Sequence, residues 1–521
     1  MSSPVPALTS HFADAFPELS APSRAWQTPE PRLLHLNAAL ATELGLDEDW
    51  LRSADGVRFL TGEAPGPDAR PVAQGYAGHQ FGGYSPRLGD GRALLLGELT
   101  APGAGRADDA DAARDVAGAT STPDLTALRD LHLKGSGLTP FSREGSDGLA
   151  AVGPMLRELV VSEALHALGI PTTRALAVVA TGRTVRRQRP LPGAVLARVA
   201  DSHLRVGTFQ YAAALVDGGH APVDLVPRLV AESLARHHPA RADADTPALA
   251  LLEAVVAAQA DLVARWMLVG FVHGVMNTDN VTISGQSIDF GPCAFLDAFD
   301  PRAVFSSIDR QGRYAYGAQP QIALWNLNRL AEALLPHLAA DPNDAVAAAT
   351  AALEGFAPAF DAAWQSGLAA KLGVPRTRAS DDVAARLLGL LAEAGADWTA
   401  SWTDLAAAAD GDTAGEDPAD AAIGRLLPGT SRPEDAAAWL ADWRALSPDP
   451  DLMRRTNPLR IPRNRPLQEA LDAAEAGDLG PVAEILDAVR EPFTPRPGAE
   501  RLERPAAGSA DERPFVTFCG T

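Results

Sequence analysis

Two short strings near the middle of the chain limit its architecture more than any other feature. HGVMNTDN (273–280) ends in Asn280, and nine positions later SIDFGP presents Asp289, followed by Phe290 and Gly291. Ser284-Gly285 between them is a turn signal, so the stretch VTISGQSIDFG reads as a tight hairpin. An amide and a carboxylate at its two ends are oxygen donors that suit Mg2+ or Mn2+ bridging phosphates, not zinc. Taken singly, Asn280 reads as a turn-capping amide and Asp289 as a strand-end Asx turn. Together, in this order, they read as one metal-holding unit.

The spacing is that of protein kinases, which carry H-R-D-x-x-x-x-N and then D-F-G. With His273 on the kinase His, Asn280 falls on the metal-binding Asn and Asp289-Phe290-Gly291 on D-F-G. At the catalytic Asp, however, stands Val275, which can neither take a proton nor orient a hydroxyl. Ordinary phosphoryl transfer by that route is closed. Asp279, beside Asn280 on the same loop, is the carboxylate available as a base for a hydroxyl nucleophile.

The upstream order fits the same scheme. Gly-rich turns and β-type runs occupy 71–100, LHLKGSG (131–137) reads as a strand and turn, and 151–170 as an amphipathic helix. TRALAVVATG and AVLARVA read as strands, and 222–272 mostly as helix. Lys134 on its strand can place an ammonium among phosphate oxygens, and Glu158 on the following helix can hold it there. In LGDGR, Gly89 and Gly91 would let backbone N–H groups approach an anion, with Arg92 beside them. Arg198 and Arg205 are further cations, read equally well as partners of surface carboxylates. The expected fold class is α+β, a kinase-like two-lobed fold with additional N- and C-terminal helical segments.

The expected organisation is an N-terminal helical extension (1–70), a core (71–345) and a C-terminal helical region (346–500). A tail bearing Cys519 (501–521) follows. PRLLHLNAALATELGL in the extension has apolar residues at helical spacing. An Ala-, Gly- and Asp-rich insertion at about 101–125 reads as exposed and mobile. The basic stretch RRTNPLRIPRNRP (454–466) reads as a structural brace on the C-terminal helices. A net charge of −21 argues against a sequence-independent grip on nucleic acid or anionic lipid. It still permits a local basic pocket of the kind a nucleoside triphosphate needs. Two cysteines, no basic-then-apolar leader and no apolar run of 18 residues give a cytoplasmic protein outside the membrane, monomeric by default.

Longer strings resemble the selenoprotein O family: YAGHQFGGYSPRLGDGRALLLGEL, LHLKGSGLTPFSREGSDGLAAV, RELVVSEALHALGIPTTRAL, VLARVADSHLRVGTFQY, GFVHGVMNTDN, IDFGPCAFLD and the tail TFCGT. The resemblance implies a kinase fold that binds ATP flipped, so that AMP passes to Ser, Thr or Tyr hydroxyls of proteins and pyrophosphate leaves. It leaves UMP transfer with manganese open. It implies nucleotide contacts from Gly89, Gly91, Arg92, Lys134, Asp147, Gly148, Arg198 and Arg205, with Glu158 partnering Lys134. Asp279 would be the general base, and Asn280 and Asp289 the ligands of Mg2+ or Mn2+. REGSDG carries one residue more than the family pattern, which weakens Asp147 and Gly148. Cys519 stands where some relatives place selenocysteine, and a reversible Cys293–Cys519 disulfide is set against two unrelated thiols. A silent nucleotide-binding pseudokinase scaffold and a phosphotransferase are the alternative readings.

Overall fold

The computed structural model describes residues 5–102, 124–410, 424, 426–427, 431–505 and 515–517. Most of the expected insertion, and Cys519, lie outside the described residues. The chain is a mixed α+β protein. Its strands, in order, are β1 (Ser20–Pro22), β2 (Arg32–Leu36), β3 (Val72–Gln74), β4 (Gly78–Gln80), β5 (Gly83–Ser85) and β6 (Ala93–Thr100). They continue with β7 (Leu128–Lys134), β8 (Ala150–Ala151), β9 (Arg174–Arg186), β10 (Pro190–Ala200), β11 (Phe271–Val272) and β12 (Ala294–Phe295). The main sheet is antiparallel in the order β1-β3-β6-β7-β10-β9-β2, with β8 added on β10.

Strand alternation sorts this sheet into two faces. Leu131 and Leu133 of β7 and Val195, Ala197 and Val199 of β10 join a core with Leu40, Leu51, Phe59 and Leu60 of the short N-terminal helices. Asp130, His132 and Lys134, at the intervening positions of β7, take the opposite face. Register places His132 beside Arg198 and Lys134 beside Leu196. One strand therefore buries leucines on one side and presents an acid, an imidazole and an ammonium on the other.

Three local expectations differ from the structure. PRLLHLNAALATELGL opens as β2, an edge strand on β9, and only then turns helical at Ala38–Glu43, capped by the Asn37 side chain. The helix Val152–Ala167 is buried all round rather than amphipathic, including Arg157, Glu158, Ser162 and Glu163. Such a helix needs partners on every side; it lies on β9 and β10 with Asn464–Glu475 and Gly480–Val489 across it. VTISGQSIDFG is a turn held by Thr282 Oγ1 donating to Gln286 O (2.7 Å), with single bridges to Arg205 and Thr172, not a two-stranded hairpin.

The helix Pro247–Leu268 is long and apolar enough to cross a membrane, with a mean hydropathy of 1.6 in its most apolar window. In this fold 67% of that window is buried, against Gln319–Leu334 and Phe356–Lys371. The basic stretch behaves as a brace. Arg463, fully buried, donates to Asp297 (2.9 Å) and Asp397 (2.8 Å), and Arg460 to the carbonyls of Ala488 (3.2 Å) and Glu491 (2.7 Å). Asn464 exchanges both amide hydrogen bonds with the backbone of Phe295 in β12 (3.1 and 2.7 Å).

Candidate active site

Asp289 adopts a left-handed backbone, φ +65°, which turns its carboxylate back toward the sheet. There it meets three cations from three elements. Oδ1 accepts from Lys134 Nζ (2.7 Å) at the end of β7 and from Arg198 Nη1 (2.8 Å) on β10, and Oδ2 from Arg205 Nη1 (3.1 Å). Lys134 also contacts Glu158 closely, and Arg198 lies 3.8 Å from the same carboxylate. Three cations converge on the Asp289 and Glu158 carboxylates, and Asp90 and Asp279 also act on Arg205. Burial pushes the Asp289 carboxyl up, but Lys134, Arg198 and Arg205 outweigh it and hold it well below the usual range. Arg205 also stacks on the Tyr76 ring (4.7 Å) and donates to Asp279 O (2.7 Å).

The loop before Asp289 is fixed from within. His273 Nε2 donates to Ile288 O (2.8 Å), so its Nδ1 is left to accept from Val275 N (3.4 Å). Asn280 Nδ2 donates to Val275 O (3.0 Å), which leaves its amide oxygen for a cation. Val275 is buried. Asp279 Oδ1 is buried with no hydrogen-bond partner, and burial pushes this carboxyl up to about 6 against the pull of Arg205. The β4–β5 hairpin lies over this loop, with His79 N on Thr278 Oγ1 (2.7 Å) and Phe81 N on Asn277 Oδ1 (3.2 Å).

The glycine turn differs from its sequence reading. Its N–H groups are already used: Gly89 donates to Tyr76 O (3.1 Å), Asp90 to Gln74 O (2.9 Å) and Gly91 to Gly89 O (2.9 Å). Asp90-Gly91 is a hairpin signal in the sequence, but it links β5 to β6, which do not pair: β6 pairs with β3 and β7. What the glycines supply is room: a Cβ at Gly89 would sit 2.3 Å from the Phe141 ring, and one at Gly91 3.1 Å from Phe141 O. Arg92 has its carbonyl on Gly135 N (2.7 Å). Asp147 is held by Arg187 (2.7 Å) on the β9–β10 turn, outside the group around Asp289. Gly148, φ +67°, lets two loops close, its carbonyl accepting from Gly137 N (3.0 Å).

The structure brings together Lys134, Glu158, Arg198, Arg205, Asp279, Asn280 and Asp289. Sequence reasoning missed His132, His203, Asp90 and Asp130 behind them. The available signal was the two-residue step from Asp130 through His132 to Lys134, which places all three on one face. Cys293, four residues past Asp289, is a buried thiol donating to Phe290 O (3.1 Å), and burial pushes it up to about 12. Among the described residues no group of three His, Cys, Asp or Glu side chains stands ready to hold a metal alone. Asn280 and Asp289 fit a divalent ion that takes its remaining oxygens from a bound phosphate chain.

A buried lysine-carboxylate pair, convergent arginines and an Asn/Asp oxygen pair make a candidate site whose chemistry suits a phosphate chain with a divalent ion. The family model described as protein adenylyltransferase SelO matches residues 6–490, and the chain belongs to that family. It is 55% identical over 518 residues to the protein nucleotidyltransferase YdiU of Mycolicibacterium paratuberculosis, covering 99% of this chain and 98% of that one. It is 53% identical over 525 residues to the protein of the same name from Pseudarthrobacter chlorophenolicus (99% and 98%). A third, from Cereibacter sphaeroides strain ATCC 17025, is 51% identical over 503 residues (95% and 96%).

Proposed function

We propose that this chain transfers AMP from ATP to Ser, Thr or Tyr hydroxyls of proteins, releasing pyrophosphate, on a two-lobed kinase-like core spanning 71–345. The observation that carries the reading is the pairing of one presence with one absence. Asp289 gathers Lys134, Arg198 and Arg205, while buried Val275 occupies the position of a kinase's catalytic acid. The cations supply the charge that a polyphosphate needs; the acid for ordinary phosphoryl transfer is missing. Asp279, with an unpartnered oxygen on the same loop, takes the acceptor hydroxyl's proton.

Lys134, Arg198 and Arg205 bind and orient phosphate oxygens, and Glu158 fixes Lys134. Gly89, Gly91 and Arg92 line the nucleotide from the turn by leaving space, and Asp147 and Gly148 close the loop beside it. Asn280 and Asp289 would hold Mg2+ or Mn2+, which supplies charge neutralisation at the reacting phosphate. Protein acceptors and a reducing cytoplasmic setting follow from this reading. The proposed Cys293–Cys519 pairing is supported by the tail, where Thr517 Oγ1 donates to Pro292 O (2.7 Å) beside Cys293.

The test uses ATP labelled separately at the α- and γ-phosphates, with wild type and Asp289→Ala under reducing conditions. Label from α-ATP alone, lost in Asp289→Ala, is the expected result. Label from γ-ATP alone would make the chain a phosphotransferase. Nucleotide binding without transfer, given acceptor proteins, would make it a scaffold.

A further inference from the structure

Arg198 is gripped from behind by two histidines. Its Nε lies 3.2 Å from His203 Nε2 and its Nη2 3.5 Å from His132 Nδ1, while Nη1 reaches Asp289 Oδ1 at 2.8 Å. A guanidinium only donates. Both facing imidazole nitrogens must therefore be lone pairs, and each ring must carry its proton on the other nitrogen. On His203 that is Nδ1, 3.0 Å from Asp130 Oδ2; on His132 it is Nε2, 3.0 Å from Asp90 Oδ2. The two rings stack at 4.2 Å with opposite tautomers, each set by its own carboxylate.

The carboxylates are themselves anchored. Asp130 also accepts from His203 N (2.8 Å) and from Arg236 Nη2 (2.6 Å) on the helix Leu225–His237, and Asp90 accepts from Gln74 N (2.9 Å). All of these side chains are buried. The charged groups facing the rings are Asp130, Asp90 and Arg198, with Arg205 acting on His132 from further away. Burial, with Arg198 and Arg205 behind it, pushes His132 down, and burial with His132 and Arg198 pushes His203 well down. Protonating either ring would remove an acceptor and set an imidazolium against a guanidinium.

We propose that His132 and His203 are positioning residues, a pair of neutral imidazoles in opposite tautomers that hold Arg198 so that its Nη1 edge points at the nucleotide's phosphates. The proposal rests on the reading that Arg198 meets the nucleotide. The device explains an arginine buried beside two histidines: rotation is removed before ligand arrives, so binding costs less side-chain entropy. A lysine, with one rotating ammonium, could not be held at three points in this way.

The experiment compares His203→Gln, which keeps an acceptor oxygen near the Nε2 position, with His203→Leu, which keeps bulk alone. The readouts are the KM for ATP and, needing no turnover, the Kd for ATP by calorimetry. His203→Leu is expected to weaken ATP roughly tenfold, and His203→Gln to stay within about threefold of wild type, the size of one lost charge-assisted hydrogen bond. Equal effects in the two variants, or none in either, would overturn the proposal. If His203→Leu does not fold, long-range 1H–15N spectra of the wild-type histidines decide. Nδ1–H on His203 with Nε2–H on His132 is expected, and matching tautomers or a charged ring at neutral pH would overturn it. An absence of α-label transfer in wild type would sink the proposed activity while leaving the tautomer pair and the Kd comparison to stand or fall on their own.

Discussion

Asp279 Oδ1 rests against the bare Cα of Gly78: a Cβ added to that glycine would stand 2.6 Å from it. The β4–β5 hairpin and the loop carrying the proposed base are thus in contact at a point where no side chain fits. Gly78→Ala must push the carboxylate or the hairpin by several tenths of an ångström. We expect kcat for α-label transfer to fall by roughly tenfold to a hundredfold, with the melting temperature changed by only a few degrees. A kcat equal to wild type would mean that Asp279 does not act on the acceptor.

Lys134 and Glu158 are both buried, so removing one strands the other. Lys134→Met should abolish transfer and cost about 3 kcal/mol of stability, because Glu158 keeps only Arg198 at 3.8 Å. Adding Glu158→Gln should restore most of the stability and none of the activity. Urea unfolding of the two single variants and the double variant measures the coupling, and simple additivity would contradict the pairing.

Lys371 is buried at the end of the helix Phe356–Lys371 with its ammonium 4.7 Å from the Trp402 ring, and burial lowers its pKa from 10.5 to about 7. The native state then binds fewer protons than the unfolded state between about pH 7 and 10.5. Stability from this group is therefore full above the upper value and is lost as pH falls toward 7. Lys371→Met should raise the urea midpoint at pH 7 and flatten its rise toward pH 9.5. An unchanged midpoint at pH 7 would show that the ammonium finds water or a partner.

After mild oxidation we expect a Cys293–Cys519 linked peptide by mass spectrometry, more slowly formed in Thr517→Val, which loses the tether to Pro292 O. Full alkylation of both thiols after oxidation would retire the pairing.

Much of the candidate site was legible because its residues lie in short strings with fixed spacing: Lys134 on a strand, Glu158 on the next helix, Asn280 and Asp289 nine apart. The convergence of Arg198 and Arg205 on one carboxylate was not, because it depends on register and on the left-handed turn at Asp289. The N–H groups of the glycine turn were misjudged for a related reason. Sequence shows that a glycine turn can admit an anion, but only the fold shows that Tyr76, Gln74 and Gly89 already accept those hydrogens. β2 was hidden inside a helical period because edge pairing on β9 overrode local spacing.

The brace from Arg463 and Asn464 has a consequence in time. Phe295 and Asp297, only a few residues beyond Asp289, wait for partners that the ribosome delivers more than 160 residues later. During synthesis Lys134, Arg198, Arg205 and Asp289 are all present while β12, a few residues further on, is unclamped. A nascent chain of the first four hundred residues should expose this segment to protease, and emergence of the Arg463–Asn464 segment is the event that clamps it.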